Sequence, residues 1–466
     1  MDPASLLPDA GKLGQGGYYI PGGGSQSANF QTLFMRVNPK VIVNDNVSIK
    51  SEWWIGDPVF GIFGNGTPAS REQRQWLSSF TRGAPISAQR FWGEVSTDIG
   101  MVQVGRAPLD WGLGLVYSAG NGMWDRYPST GDLVRMVTRF GAFSFIPTAV
   151  HYSAGNTIGG ACYVTGGVTC SPTLGSGDVY DLSIAFKYDN TDEDFEAGVT
   201  YIKRIINSAQ DPFSGYLGVG TTADAAQVTG GSNINVWDLY GKKKLGPVHL
   251  GIEVPIVTGH VSGFNYSTFA VAGEVKWQVS DAWELFSKGG YVPGQGNYSG
   301  TNLPSLSAFY LHPNYRLGMI MFSYQLAAFG GPQTQNNSNL SGGALSSPFY
   351  NPISNAYYGM LGAGWNISKF RLHTGVIAAA APQVARSGEN FFNHWERRFV
   401  AAVADQKNFL GVETDLGATY RWDDHLDIRF DMGLWMPGDF YAFSNTANVN
   451  KITPIFGAQL GLGIQF

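Results

Sequence analysis

The end of this chain alternates strictly. Phe456, Ala458, Leu460, Leu462, Ile464 and Phe466 are apolar, and the residues between them, Gly457, Gln459, Gly461, Gly463 and Gln465, are small or polar. A two-residue period sends successive side chains to opposite faces of a strand, so this segment has one oily face and one wet face. A run of about ten such residues suits a tilted strand crossing a bilayer. No stretch of about eighteen consecutive apolar residues occurs anywhere, which excludes helices as the spanning element.

The same alternation recurs in pairs. Tyr180, Leu182, Ile184, Phe186 and Tyr188 share one face, opposed by Asp181, Ser183, Ala185 and Lys187; the acidic turn 190–194 then leads to Phe195, Ala197, Val199 and Tyr201, with Glu196 opposed. Phe269, Val271, Gly273, Val275, Trp277 and Val279 form another apolar row, opposed by Glu274, Lys276 and Gln278. The clearest hairpin sets Val412, Thr414, Leu416, Ala418, Tyr420 and Trp422 beside Leu426, Ile428, Phe430, Met432 and Leu434 across the turn Asp423-Asp424. Rows ending in Trp or Tyr fit lipid contact bounded by an aromatic girdle.

Connections alternate in length. Short turns are expected near 44–46, 98–100, 189–194, 244–246, 280–282, 367–369 and 423–425. Long Gly/Pro/Ser/Asn-rich connections are expected near 56–87, 107–132, 153–178, 206–233, 293–307, 330–356, 380–407 and 436–451. This is the pattern of an all-β, transmembrane antiparallel β-barrel with tight periplasmic turns and long extracellular loops. The expected strand number is roughly 16–20, with about 18 the best value. Residues 30–466 then make one barrel domain, and 1–29 a separate N-terminal segment, either a first strand near Leu13–Ile20 or a plug. Residues 391–406 have the pattern of a short amphipathic helix in a long loop.

Composition agrees with this class. Glycine is 62 of 466 residues, aromatics are 14%, and charged residues are 14% where about a quarter is usual. A net charge of −5 and a single short basic run, Lys242-Lys243-Lys244, argue against a nucleic-acid partner. Cys162 and Cys170 are close together and are the only cysteines, which points to one local disulfide in an oxidising compartment. No charged-then-apolar leader opens the sequence; Met1-Asp2-Pro3 reads as a start placed on a mature chain whose address is the bacterial outer membrane.

Catalytic and cofactor signals are weak. None of the seven histidines sits in a His-Glu-x-x-His context, no Gly-x-Ser-x-Gly or phosphate-binding glycine motif occurs, and neither an enzyme nor a cofactor is expected. Asn44-Asp45-Asn46 has calcium-ligand residue types, but it lacks the length and closing Glu of an EF-hand and reads as a polar turn.

The inward rows carry the functional candidates. Arg106, Glu274, Lys276, Arg371, Glu413, Asp415, Arg421, Asp427, Arg429 and Asp431 are expected to face the lumen. There they either set selectivity or pair across neighbouring strands. Leu317–Phe329 reads as a strand apolar on both faces. Leu317, Met319, Met321, Phe322 and Phe329 are therefore candidates for a subunit interface, a contact with an inserted loop, or a lipid surface.

The terminal strand to Phe466, the hairpin 408–436 leading into Trp435-Met436-Pro437-Gly438, and the stretch GRAPLDWGLGL at 105–115 together resemble porin-like outer-membrane proteins. Within that group the chain is most similar to the porin-like proteins of predatory bacteria. That resemblance implies a homo-oligomeric ring, such as a pentamer, that encloses membrane lipid. It also implies hand-over to the barrel-assembly machinery through the row Leu462, Ile464 and Phe466. The competing readings are a passive diffusion porin for small polar solutes and a substrate-specific outer-membrane channel.

Overall fold

In a computed structural model the described residues are 34–56, 86–152, 179–206, 232–261, 264–300, 305–323, 351–393, 398–443, 445 and 452–464. The 1–29 segment, Cys162, Cys170, Phe329 and Phe466 lie outside them. About two-thirds of the described residues are strand. The first group is β1 (Phe34–Val37), β2 (Lys40–Asn44), β3 (Val47–Gly56), β4 (Ile86–Thr97), β5 (Gly100–Pro108), β6 (Thr130–Phe140) and β7 (Phe143–Tyr152). The second is β8 (Val179–Asn190), β9 (Phe195–Ile206), β10 (Ser232–Leu245), β11 (Val248–Val261), β12 (Phe264–Phe269), β13 (Val271–Gln278) and β14 (Trp283–Val292). The third is β15 (Ala356–Ile367), β16 (Phe370–Ala380), β17 (Asn390–Asn393), β18 (Arg398–Ala401), β19 (Phe409–Arg421), β20 (Leu426–Pro437) and β21 (Ile455–Ile464).

Nineteen of these segments form one antiparallel sheet; β17 and β18 pair separately. Neighbours in sequence are neighbours in the ladder, as in an up-and-down meander. Both β1 and β2 pair with β3, and both β12 and β13 pair with β11, so each couple is one interrupted strand of the wall.

The two faces of the sheet differ in kind. Leu182, Ile184 and Phe186, then Trp237 and Leu239, then Ile252 and Ile256, and finally Phe456, Leu460, Leu462 and Ile464 all stand exposed on one face. The alternate positions carry glycine and charge. A soluble sandwich buries its apolar face; this sheet exposes it along its whole length, which is the burial pattern of a membrane barrel. The sheet also curls. Arg36 on β1 donates to Gly120 O at 2.8 Å, while Gly461 on β21 lies against Trp124, whose ring a Cβ would meet at 2.7 Å. Strands from the two ends of the ladder therefore meet around one short segment.

The seven expected turns are found. An eighth is added by residues 141–142, where β6 returns as β7 through Gly141 at φ +61°. Three expectations are corrected. The described residues 305–323 lie between β14 and β15 and hold no strand, so the strand expected over Leu317–Phe329 does not form across 317–323. Strict alternation of connection length fails once, since only residues 262–263 separate β11 from β12. Residues 391–406 contain the hairpin β17–β18 rather than a helix: Phe392 packs on Phe399 across the strands at 5.4 Å, and Phe391 packs on Phe443 at 5.6 Å. Alternate faces, not a helical stripe, bury these aromatics.

Candidate functional site: a lumen narrowed by two inserted segments

Two connections turn inward and fill part of the space that the wall encloses. The first is 109–129, between β5 and β6. It is tied at its neck by Leu109 N to Ser129 O at 2.9 Å and by Ser129 N to Ser118 O at 2.7 Å. The GRAPLDWGLGL stretch builds its tip. Gly112 sits at φ +57°, a left-handed conformation that glycine adopts without penalty, and a Cβ there would run into the Glu253 carboxylate. This turn aims two backbone donors at the wall: Leu113 N and Leu115 N both donate to Glu253 on β11, the latter at 3.1 Å. Across the lumen, Arg90 on β4 holds the Glu52 carboxylate at 2.7 Å, reaches Asn121 at 3.1 Å and donates to Ala119 O. Tyr117 donates to Asp181 on β8 at 2.6 Å, and burial holds its phenol well above the ordinary range, so it remains a donor.

The second inserted segment is 305–323. Leu306 N donates to Asn265 O at 2.7 Å, and Leu311 N donates to Ile353 O at 3.0 Å. At its far end Met319 N donates to Asp415 at 3.0 Å, Ile320 N to Glu413 at 2.6 Å and Met321 N to Glu413 at 2.5 Å. Leu317, Ile320 and Met321 are buried in one cluster with Leu115, Ile353, Ile377 and Trp435, and Met319 and Phe322 pack on it. These residues are covered by their own chain, so the interface or lipid contact expected of Leu317, Met319, Met321 and Phe322 is corrected to packing inside the lumen. Apolar residues on both sides of the segment are buried in or packed on this cluster, so it has no polar face and reads as a two-sided strand.

The two segments are joined. His312 N donates to Leu115 O at 2.8 Å, and the His312 ring meets Ser129 Oγ at 3.1 Å. Asn314 accepts from Tyr127 N at 3.1 Å and donates to Tyr127 O at 2.8 Å. Burial pushes His312 down to about 4, so its ring is neutral at neutral pH. The small residues of the wall receive the pair. Gly461 accommodates Trp124, Gly463 accommodates Met123, and Gly457 and Gly433 accommodate Met319. The glycine face of the last strand, expected to be wet, is thus a seat for the inserted segments.

The remaining inward charges gather toward the short-turn end. Glu284 on β14 is 4% exposed and holds Lys276 of β13 at 2.9 Å and Arg371 of β16, whose side chains stay 51% and 48% exposed. Lys288 meets Glu274 at 2.8 Å, Arg421 meets Asp427 at 3.5 Å, Arg429 meets Asp431 at 2.5 Å, and His373 meets Asp431 at 3.2 Å. Glu196 takes Lys187 at 3.0 Å and Tyr240 at 2.7 Å. In the Glu284 group the acid sits against the wall while the cations stand in the open space. Glu413 and Asp415 lie beneath the second segment instead of lining open water.

Arg106 is a correction. Alternation along β5 puts Gln103 and Ala107 inward and Val104 outward, and Arg106 falls on the Val104 face. It pairs there with Asp132 at 2.7 Å, with both side chains about two-fifths exposed (43% and 42%), beside the long-loop rim. Sequence reasoning missed Glu52, Arg90, Asp238, Glu253, Glu284 and His312. The signal for Glu253 was present, since it is a lone acid inside the apolar run Leu250–Val257.

No family model matches the chain, and no curated protein matches it. Solved structures do. The chain is similar to OccK9 (OpdG) of Pseudomonas aeruginosa, with 10% identity and a TM-score of 0.48, covering 96% of this chain and 93% of that one. It is similar to the outer membrane protein OpdK of P. aeruginosa, with 10% identity and a TM-score of 0.46, covering 92% and 91%. It is similar also to outer-membrane expressed OmpT of Vibrio cholerae, with 9% identity and a TM-score of 0.38, covering 84% and 89%. OpdK and OmpT are described as outer-membrane proteins; the fold of this chain stands on its own ladder and burial pattern.

Proposed function

We propose that this protein is a porin-like barrel of the bacterial outer membrane that passes small polar solutes, anions ahead of cations, through a lumen narrowed by its two inserted segments. The observation that carries this reading is the Glu284 group. One buried carboxylate anchors two cations whose heads stay exposed on the inward face, and the outward face is apolar apart from polar residues toward the rim such as Arg106 and Asp132. An open, charged interior inside an oily wall is what a diffusion channel requires, and cations that project past their acids favour anions. The reversal potential across a KCl gradient in planar bilayers tests it. Anion preference is expected, and it should fall in Lys276→Gln/Arg371→Gln; cation preference in the unmodified protein would overturn the reading.

A ring that encloses lipid rests on the family resemblance, because Leu317, Met319, Met321 and Phe322, which suggested a second apolar surface, pack in or against the core of their own chain. Homo-oligomerisation, membrane lipid as a partner, assembly through Leu462, Ile464 and Phe466, and the Cys162–Cys170 disulfide belong to the proposal on sequence grounds.

A further inference from the structure

Each inserted segment is seated on a pair of acids. Under the first, Asp238 and Glu253 are both fully buried (0% exposed), on the inward faces of neighbouring strands. Glu253 accepts the Leu113 and Leu115 backbone donors. No donor reaches either oxygen of Asp238, and what lies within hydrogen-bonding reach of it is the Glu253 carboxylate. Under the second segment the arrangement repeats. Glu413, also fully buried, accepts from Ile320 N and Met321 N; Asp415 lies within hydrogen-bonding reach of Glu413, accepts Met319 N on one oxygen, and has no partner on the other.

Two carboxylates facing one another are two acceptors with nothing to share. Both cannot remain ionised in a buried site without a counter-charge, but one proton between them turns repulsion into a hydrogen bond. The backbone donors choose the site. Glu253 and Glu413, each facing two N–H groups, carry the negative charge, and the orphaned oxygens of Asp238 and Asp415 carry the proton.

We propose that one proton held in each acid pair is the latch that keeps its inserted segment in the lumen, so that the segments release when the pairs lose these protons at alkaline pH. The step is a simple ionisation: hydroxide takes the proton as water, and the second negative charge stays on the wall. Repulsion between the two carboxylates is then relieved only by water, which enters when the segment lifts. The proton is bound more tightly with the segment seated than with it lifted. The pairs therefore favour seating at neutral pH and cease to favour it as pH rises. The charged and titratable neighbours set the background. Lys242 and Tyr240 of β10 and Glu196 of β9 surround the first pair; His373 of β16 and Asp431 and Arg429 of β20 surround the second. The described part of the second segment that packs on its pair, Leu317–Met321, is uncharged.

The latch rests on the same two segments as the narrowed lumen, but an infrared readout tests it without ion passage. In detergent-solubilised full-length protein at neutral pH, the C=O stretch of neutral carboxyl groups is expected. Asp238→Asn and Asp415→Asn should each remove about half of it, and the double variant nearly all. Glu253→Gln should keep the Asp238 share but shift it to higher frequency, because the buried acid then no longer donates to a carboxylate; an unshifted share would reduce Asp238 to an ordinary buried neutral acid and overturn the proposal. In bilayers, unmodified protein should show a reversible rise in conductance above neutral pH that the double Asn variant lacks. That comparison also separates the pairs from the lumen lysines, which both proteins carry. No neutral carboxyl signal at neutral pH, a signal that survives in Asp238→Asn/Asp415→Asn, or a stoichiometric divalent cation found in its place by elemental analysis would each overturn the latch.

Discussion

His312 Nε2 lies 3.1 Å from Ser129 Oγ, and that contact ties together two inserted segments that are far apart in sequence. Nδ1 of the same ring accepts Asn314 N at 3.2 Å, so the seated ring is neutral with its proton on Nε2. A second ring proton would point at an N–H group that already donates there.

Acid should therefore loosen this joint. Burial lowers the His312 pKa from the ordinary 6.5 to about 4. A group whose folded pKa is depressed contributes stability that is present above about 6.5 and is lost as pH falls toward 4, here up to about 3 kcal/mol. Thermal unfolding between pH 7 and pH 4 checks it. The midpoint should fall more steeply in the unmodified protein than in His312→Gln, which does not titrate. Identical slopes would remove His312 from the account.

Selectivity should follow the inward charges and ignore the outward pair. Glu284→Gln leaves Lys276 and Arg371 without their carboxylate and should raise the anion-to-cation permeability ratio severalfold. Arg106→Ala removes an exposed ion pair on the outer face, where such pairs contribute about 0–1 kcal/mol, and should leave the ratio unchanged. Reversal potentials for the two variants decide between them.

Seating of the segments should depend on missing side chains. A Cβ at Gly461 would meet the Trp124 ring at 2.7 Å, so Gly461→Val pushes the first segment off the wall. Overfilling a packed site costs about 1–3 kcal/mol. The expected outcome is a lower unfolding midpoint together with Trp124 fluorescence shifted to the red as water reaches the ring. A midpoint and spectrum matching the unmodified protein would place Trp124 elsewhere.

Much of the wall was legible in the sequence, for a physical reason. Strand faces alternate with a period of two, and the outward row must be apolar whatever the inward row does. Phe456 to Ile464 and the 412–434 hairpin therefore announce themselves. The inserted segments were not legible by the same logic. Leu317 to Phe322 packs apolar side chains from both of its sides against its own chain, so no polar face marks it as something other than a strand. The glycines of β21 misled in a related way. A small residue faces water or a packed ring equally well, and only the position of Trp124 distinguishes the two. Arg106 was misplaced because its charge reads as the mark of an inward face. The lumen is narrowed by Gly112 to Leu115 meeting Glu253, and Arg106 stands on the other face of β5.

The central claim is a barrel whose passage is narrowed by segments docked on Glu253 and Glu413. Single-channel conductance in planar bilayers at neutral pH, comparing the unmodified protein with Glu253→Ala/Glu413→Ala, tests it most directly. Removing both carboxylates leaves four backbone donors without acceptors, those of Leu113, Leu115, Ile320 and Met321, while Met319 N keeps Asp415. Small, steady, ohmic steps are predicted for the unmodified protein and severalfold larger, noisier steps for the variant. Large steps of equal size in both proteins, or no conductance in either, would contradict the account.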